Sequence, residues 1–137
     1  MSAADYAYAL VQAAHNFGAV AVVGGPAAAW LWVREQRAVS NVLAWLTAFG
    51  WLAQALSGAG FGLTSYVSRG ELPEVAGVAL LALYVKVGCA VAGFSLAVFY
   101  LLVSPQRRAQ MQRVIWPGLF IFGCVALTGA AFLRWFG

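Results

Sequence analysis

The stretch that decides the fold runs from residue 74 to residue 103 and reads EVAGVALLALYVKVGCAVAGFSLAVFYLLV. After Glu74, the only charged residue in it is Lys86. A helix that crosses a membrane needs about 20 consecutive, mainly apolar residues, and this stretch is longer. Its apolar residues are continuous and do not alternate with polar ones as they do in barrel strands. The stretch therefore predicts a transmembrane helix.

Three further apolar runs lie at about 6–33, 41–67 and 113–136. Backbone polar groups in lipid are satisfied only in helices and closed barrels, so these runs are also expected to be helices. The connections are short, which favours antiparallel neighbours. We therefore expect an all-α integral membrane protein, a single domain of four transmembrane helices in an up-down antiparallel bundle. The first run is too long for the core of a signal peptide, so we expect it to be retained.

The composition of the chain fits a membrane protein. Of its 137 residues, 64% are hydrophobic and 9% are charged, whereas soluble domains carry about 25% charged residues. The mean hydropathy is +0.84. The net charge of +4 comes from short clusters between apolar runs, without the basic stripe that binds phosphate backbones. We expect the lipid bilayer, and no nucleic acid, as a partner.

The distribution of basic residues predicts the orientation. The first and third connections carry Arg34, Arg37, Arg107, Arg108 and Arg113. The opposite side carries two arginines that are offset by acidic residues, namely Arg69 and Arg134 with Asp5, Glu71 and Glu74. Because basic loops stay in the cytoplasm, both termini are expected outside, and the location is expected to be a bacterial inner membrane.

Polar residues at bilayer depth indicate a candidate site. A charged side chain there costs roughly 2.5–3.5 kcal/mol on insertion scales, so it marks function by default. With a rise of about 1.5 Å per residue, His15 lies roughly 7 Å and Lys86 roughly 4 Å to the outer side of their helix midpoints. Gln54 lies at the centre of the second run, and Gln12 shares a helix face with His15. We predict one shared site of His15, Lys86, Gln12 and Gln54.

Several roles remain open for the two ionisable residues. His15 is a candidate metal ligand, to haem iron, or a proton-transfer group, and the alternative is a hydrogen-bonded core histidine. Lys86 could snorkel to the interface, sit neutral, or neutralise an anionic ligand such as a haem propionate or a quinone oxygen. No Asp or Glu lies within a helix core to pair with Lys86. Its environment is therefore expected to be a ligand, a water-filled cavity or a partner subunit.

Glycines suggest where helices approach closely. Gly58-x-x-x-Gly62 and Gly88-x-x-x-Ala92 have the spacing of close helix contacts, either between copies or, as we favour, within the bundle. The segment Gly24-Gly25-Pro26 is expected to loosen the first helix and to free carbonyl groups that need other partners.

Most catalytic chemistries have no support in the sequence. The membrane runs contain no pair of carboxylates for acid–base work, and no nucleophile, phosphate-loop or zinc motif occurs. A copper path would use methionines, and Met1 and Met111 lie outside the core. We therefore do not expect the chain to be an enzyme on its own.

The first helix resembles that of a known group of proteins. His15, followed by Gly18 and Val23-Gly24-Gly25, resembles bacterial copper-resistance D-like membrane proteins and is similar to the four-helix protoporphyrinogen oxidase family. Members of that family are associated with haem and carry a lysine in a later helix, as Lys86 is placed here. The resemblance implies a four-helix architecture and haem b as a cofactor. This chain has no second histidine, so one copy cannot supply two histidine ligands.

Three functions are open at this stage. We favour a small membrane subunit of a larger redox or respiratory-type complex, binding haem b or quinone at the His15 and Lys86 site. The first alternative is an accessory or anchor subunit without a cofactor. The second is a permease for a small solute or metal. Expected partners are other membrane subunits or a homo-oligomer.

Overall fold

The computed structural model describes residues 3–32, 36–71 and 74–136, and these residues form four helices without any strand. They are α1 (Ala3–Leu31), α2 (Arg37–Arg69), α3 (Gly77–Leu102) and α4 (Pro105–Phe136). Each helix is long and apolar enough to cross a membrane. The prediction of an all-α chain with four such helices is confirmed.

The helix boundaries differ from the predicted ones at several ends. α4 begins at Pro105, well before residue 113. Proline suits the first turn of a helix, and the glutamines and arginines that follow are good helix formers, so α4 continues beyond its apolar part. α2 likewise begins at Arg37, ahead of residue 41, and α3 begins only at Gly77. The predicted end of the first helix at residue 33, together with Arg34, lies outside the described residues.

Each helix packs against two others in cyclic order: α1 against α2 and α4, and α3 against α2 and α4. Between α1 and α2, Val11 lies beside Gly60, and Gly18 lies beside Gly50. Residue numbers therefore rise along α1 while they fall along α2. Among the described residues, the backbones of α1 and α3 do not approach each other, so these two helices are diagonally opposite in the bundle. Only long side chains can join them.

The interior contains two groups of buried side chains. One lies toward the ends of α1 and α3 and the starts of α2 and α4, and comprises Ala29, Ala44, Ala48, Ala97, Tyr100, Ile115, Trp116 and Leu119. The other lies nearer the middle and comprises Val22, Trp51, Cys89 and Ala126. Four of the eight residues in the first group are alanines, whose small side chains let helices pack closely in lipid. In the second group, the Trp51 ring of α2 packs against Gly93 of α3.

Proline 26 lies inside α1 without ending it. A proline has no backbone N–H, so the carbonyl of Val22, four residues earlier, loses its partner within the helix. Gly123 of α4 packs against this carbonyl, and a Cβ at residue 123 would lie 2.7 Å from the Val22 oxygen. The expected freed carbonyl therefore exists, and a neighbouring helix covers it.

Arg108 joins three elements at one end of the bundle. Its guanidinium donates to the carbonyl of Val103 at 3.0 Å and to that of Leu101 at 2.6 Å, at the end of α3. It also donates to Oδ1 of Asn41 near the start of α2, at 2.7 Å. The contacts satisfy carbonyls that a helix end leaves open. They also place the first and third connections at the same end of the bundle.

Candidate functional site

The centre of the candidate site is a contact between His15 of α1 and Lys86 of α3. The distance from Lys86 Nζ to His15 Nε2 is 3.0 Å, and both side chains are partly buried. Their helices are diagonally opposite, so a ring and a four-carbon stem bridge the interior where the backbones do not meet. The structure thus brings His15 and Lys86 together.

Ser57 of α2 holds the other side of the imidazole. The distance from His15 Nδ1 to Ser57 Oγ is 2.7 Å, while the Ser57 hydroxyl donates to the carbonyl of Ala53 at 2.5 Å. A hydroxyl has only one proton, so the serine oxygen must accept the Nδ1 proton of His15. Nε2 is then left with a lone pair, which accepts from the lysine. The edge of the Phe61 ring, 5.4 Å away between centroids, completes this side.

Gln54 fixes the backbone of α1 at the same level. It is 8% exposed, and its Nε2 donates to the carbonyl of His15 at 2.5 Å. This requires a close approach of the helices at Gly18, where a Cβ would lie 3.1 Å from the Gly50 oxygen and 3.2 Å from Gln54 Nε2. Gly18 therefore has a direct steric role in assembling the site.

Gln12, the fourth predicted site residue, is not brought to Lys86. Its Nε2 donates to Oδ1 of Asn16 on the same helix at 2.8 Å, and Asn16 is exposed. A spacing of three residues puts Gln12 and His15 near one face of α1. The long glutamine side chain nevertheless turns toward the exposed Asn16. The structure thus joins His15, Lys86 and Gln54, and leaves Gln12 aside.

A groove of about 820 Å³ lies between α2 and α3, next to this cluster. Most of its lining is apolar, and its polar lining residues are Gln54, Lys86 and Glu74. The helices touch where Trp51 meets Gly93 and separate toward Gly58 and Gly62, both of which line the groove. This is the usual form of a ligand site, apolar with a few convergent polar groups.

The structure corrects the interpretation of two glycine pairs. A Cβ added at Gly58, Gly62 or Gly88 would meet nothing within 4 Å. The prediction that these glycines pack helices together inside the bundle is therefore wrong. Gly58 and Gly62 instead leave room in the groove, which could not be seen from their spacing alone.

The geometry does not fit an iron ligand in this conformation. His15 is the only histidine of the chain, and hydrogen-bonding partners lie against both of its ring nitrogens. The described residues also contain no group of three or more His, Cys, Asp or Glu side chains that could hold a metal ion. Iron at Nε2 would have to displace Lys86. The role of His15 as a haem ligand stays a prediction that requires such a movement.

Ser57 and the groove are the parts of the site that the sequence analysis missed. Ser57 lies three residues after Gln54 on α2, so helical periodicity could have placed it on the same face. Its importance depends on the neighbouring histidine, which belongs to another helix. The groove depends on where α2 and α3 separate, and no local pattern encodes that.

No family model, curated protein or solved structure matches this chain. The resemblance in the first helix therefore stays a prediction. The geometry of the groove and of the His15–Lys86 contact is the basis for inferring function.

Proposed function

We propose that this chain is a small integral membrane subunit that binds a quinone-type ligand in the groove between α2 and α3. Lys86 and Gln54 would hold the polar head, and the apolar groove walls would hold the tail. The larger assembly that it serves is proposed to be a redox or respiratory-type membrane complex. The chain itself supplies binding and orientation.

The observation that carries this proposal is the position of Lys86. It lines an apolar groove while His15 Nε2 accepts one of its hydrogen bonds. An ammonium group has three donors, so two remain for a ligand. All four carboxylates of the sequence, Asp5, Glu35, Glu71 and Glu74, lie outside residues 77–102. A ligand with oxygen acceptors at this depth would accept hydrogen bonds from the two remaining donors of Lys86.

The groove fits the shape of an amphipathic ligand. Its volume of about 820 Å³ falls in the usual range for small-molecule sites, about 300–1,000 Å³. Leu52, Val87 and Val91 line it and are also exposed on the outer surface of the bundle, so the groove is open to lipid. A ligand could therefore enter sideways from the membrane. A bound quinone would supply reversible electron and proton transfer.

The orientation in the membrane is part of the proposal. Arg37 and Arg108 lie at one end of the bundle, as the contact between Arg108 and Asn41 indicates. Cytoplasmic placement of this basic end puts both termini, and the end of the groove that Glu74 lines, on the outer side. The proposed location is a bacterial inner membrane.

Ligand titration tests the proposed function. Purified protein in lipid nanodiscs is titrated with decylubiquinone, and tryptophan fluorescence is recorded because Trp51 lines the groove. We expect saturable quenching, and Lys86→Met should weaken binding by about tenfold or more, since a hydrogen bond to a charged group is lost. Absence of saturation, or equal affinity of the Lys86→Met variant, would contradict the proposal.

Two further outcomes identify the alternatives. A Soret band in the visible spectrum that disappears in His15→Ala would indicate haem bound through His15 and displacement of Lys86. A colourless protein that binds no quinone and copurifies with stoichiometric partners would indicate an accessory or anchor subunit.

A further inference from the structure

A pair of amide side chains lies on the outer face of α1, within the part of the helix that could span the membrane. Gln12 Nε2 donates to Asn16 Oδ1 at 2.8 Å, and Asn16 is exposed. The candidate span of α1 is Asp5–Leu31, so its midpoint is residue 18. At about 1.5 Å per residue, Asn16 lies about 3 Å and Gln12 about 9 Å along the helix from this midpoint. α1 is also the least buried of the four candidate spans.

This position leaves hydrogen-bonding capacity unused. The bond between the two side chains uses one N–H of Gln12 and one lone pair of Asn16 Oδ1. The N–H groups of Asn16 and the Oε1 of Gln12 remain. Lipid tails offer neither donors nor acceptors, and an unsatisfied amide in an apolar environment is costly. A protein surface with matching polar groups would remove that cost.

The amide pair is its own complement. One copy offers a donor on Asn16 and an acceptor on Gln12, and a second copy related by a two-fold axis offers the same groups in reverse. Two identical bonds can then form, as in any isologous interface. The surrounding residues on this face are exposed and mostly small, so the helices can approach closely: Ala9, Ala13, Val20 and Gly24.

We propose that α1 packs against α1 of a second copy of this chain across a two-fold axis normal to the membrane. The Asn16 amide of each copy donates to Gln12 Oε1 of the other. Both copies insert with the same orientation, so the two Asn16 residues lie at equal depth. The interface is separate from the groove, which lies between α2 and α3, and does not depend on the proposed ligand.

The test measures association in a bilayer. Copies with donor and acceptor fluorophores are reconstituted into vesicles at decreasing protein-to-lipid ratio, and the dimer fraction is measured by energy transfer. Loss of two interhelical hydrogen bonds in Asn16→Leu should weaken dimerisation by about tenfold or more. Asn16→Gln retains an amide and should associate more strongly than Asn16→Leu. Thr128→Val, which changes an exposed polar residue on α4, should leave association unchanged.

Cross-linking locates the interface independently of the strength of association. In a background of Cys89→Ala and Cys124→Ala, Ala13→Cys should form an intermolecular disulfide under mild oxidation. Leu46→Cys, on the exposed face of α2, should not. Helix content by circular dichroism confirms that each variant is folded.

Several results would overturn the inference. These are a wild-type protein that stays monomeric at every protein-to-lipid ratio, a dimer insensitive to Asn16→Leu, or a disulfide through Leu46→Cys in place of Ala13→Cys. Binding of quinone by such a protein would be unaffected, so failure here is distinguishable from failure of the proposed function.

Discussion

Lys86 and His15 meet across the diagonal of the bundle, with 3.0 Å between Nζ of the lysine and Nε2 of the histidine. A hydrogen bond donated by Lys86 requires a lone pair on His15 Nε2. Ser57 accepts a hydrogen bond from Nδ1, so the ring proton is on Nδ1 and Nε2 keeps its lone pair. Three helices thus contribute one side chain each to a continuous series of hydrogen bonds. The series ends at the carbonyl of Ala53 inside α2, while Lys86 at its other end also lines the groove.

The first prediction concerns the protonation pattern of the imidazole. The chain has a single histidine, so selective ¹⁵N-histidine labelling yields the signals of His15 alone. We expect ¹⁵N chemical shifts of a neutral ring with the proton on Nδ1, because Ser57 accepts from it and Lys86 donates to Nε2. Ser57→Ala should shift the population toward the Nε2-protonated form, while Ser65→Ala should not. An Nε2-protonated ring in the unmodified protein would contradict the hydrogen-bond assignment.

The second prediction concerns the space in the groove. Gly58→Leu should fold normally, because a Cβ at that position meets nothing within 4 Å, but its side chain would fill the groove. Decylubiquinone binding should therefore be lost, with unchanged helix content by circular dichroism. Gly88→Leu is the matched control, since Gly88 is equally open but does not line the groove. Equal affinities of the two variants would place the ligand elsewhere.

The third prediction concerns the contact between Trp51 and Gly93. A Cβ at residue 93 would overlap Cε2 of the Trp51 ring, which is buried. Gly93→Ala should destabilise the protein by about 1–3 kcal/mol, the usual cost of overpacking. Thermal unfolding in detergent measures this effect. Gly118→Ala, whose Cβ would lie 3.8 Å from its nearest neighbour, should be close to neutral.

The fourth prediction concerns the three hydrogen bonds of Arg108. Arg108→Gln removes the guanidinium that satisfies Leu101 and Val103 and reaches Asn41. The free energy of unfolding should fall by roughly 1.5–3 kcal/mol, the range for a hydrogen bond to a charged group. Arg107→Gln removes the same charge from an exposed neighbour and serves as the control. Equal stability of the two variants would show that these bonds contribute little.

The fifth prediction concerns topology. In a background without Cys89 and Cys124, Glu71→Cys should react with a membrane-impermeant maleimide added to spheroplasts. Arg107→Cys should react only after permeabilisation, because the basic end is expected in the cytoplasm. The reverse labelling pattern would invert the proposed orientation and place the end of the groove that Glu74 lines on the cytoplasmic side.

The depth of each polar residue in the membrane was predictable from its position along an apolar run. A rise of about 1.5 Å per residue converts a position within an apolar run into a height in the membrane, and this placed His15, Lys86 and Gln54 at a common level. The direction in which a side chain points was less predictable. Gln12 shares a face with His15 by periodicity, yet its amide bonds to Asn16, because a flexible side chain can turn either way from the edge of a face.

Helix ends were predicted less well than helix interiors. α4 begins at Pro105 although its apolar run starts near residue 113, because good helix formers extend a helix beyond the hydrocarbon region. Hydropathy measures solvation and contains no information on where the backbone leaves the helix. The arginines of the third connection consequently lie on helical backbone, where Arg108 can reach back to the end of α3.

By itself, the sequence determined that this chain forms four apolar helices and that a histidine and an unpaired lysine lie at similar depth. Both follow from local quantities, hydropathy and the helical repeat. Only the tertiary structure decided that α1 and α3 lie diagonally, that Ser57 holds His15, and that Gly58 and Gly62 border a groove. These depend on the rotation of each helix and on where α2 and α3 separate, which are set by close contacts such as Gly18 with Gly50 and Trp51 with Gly93.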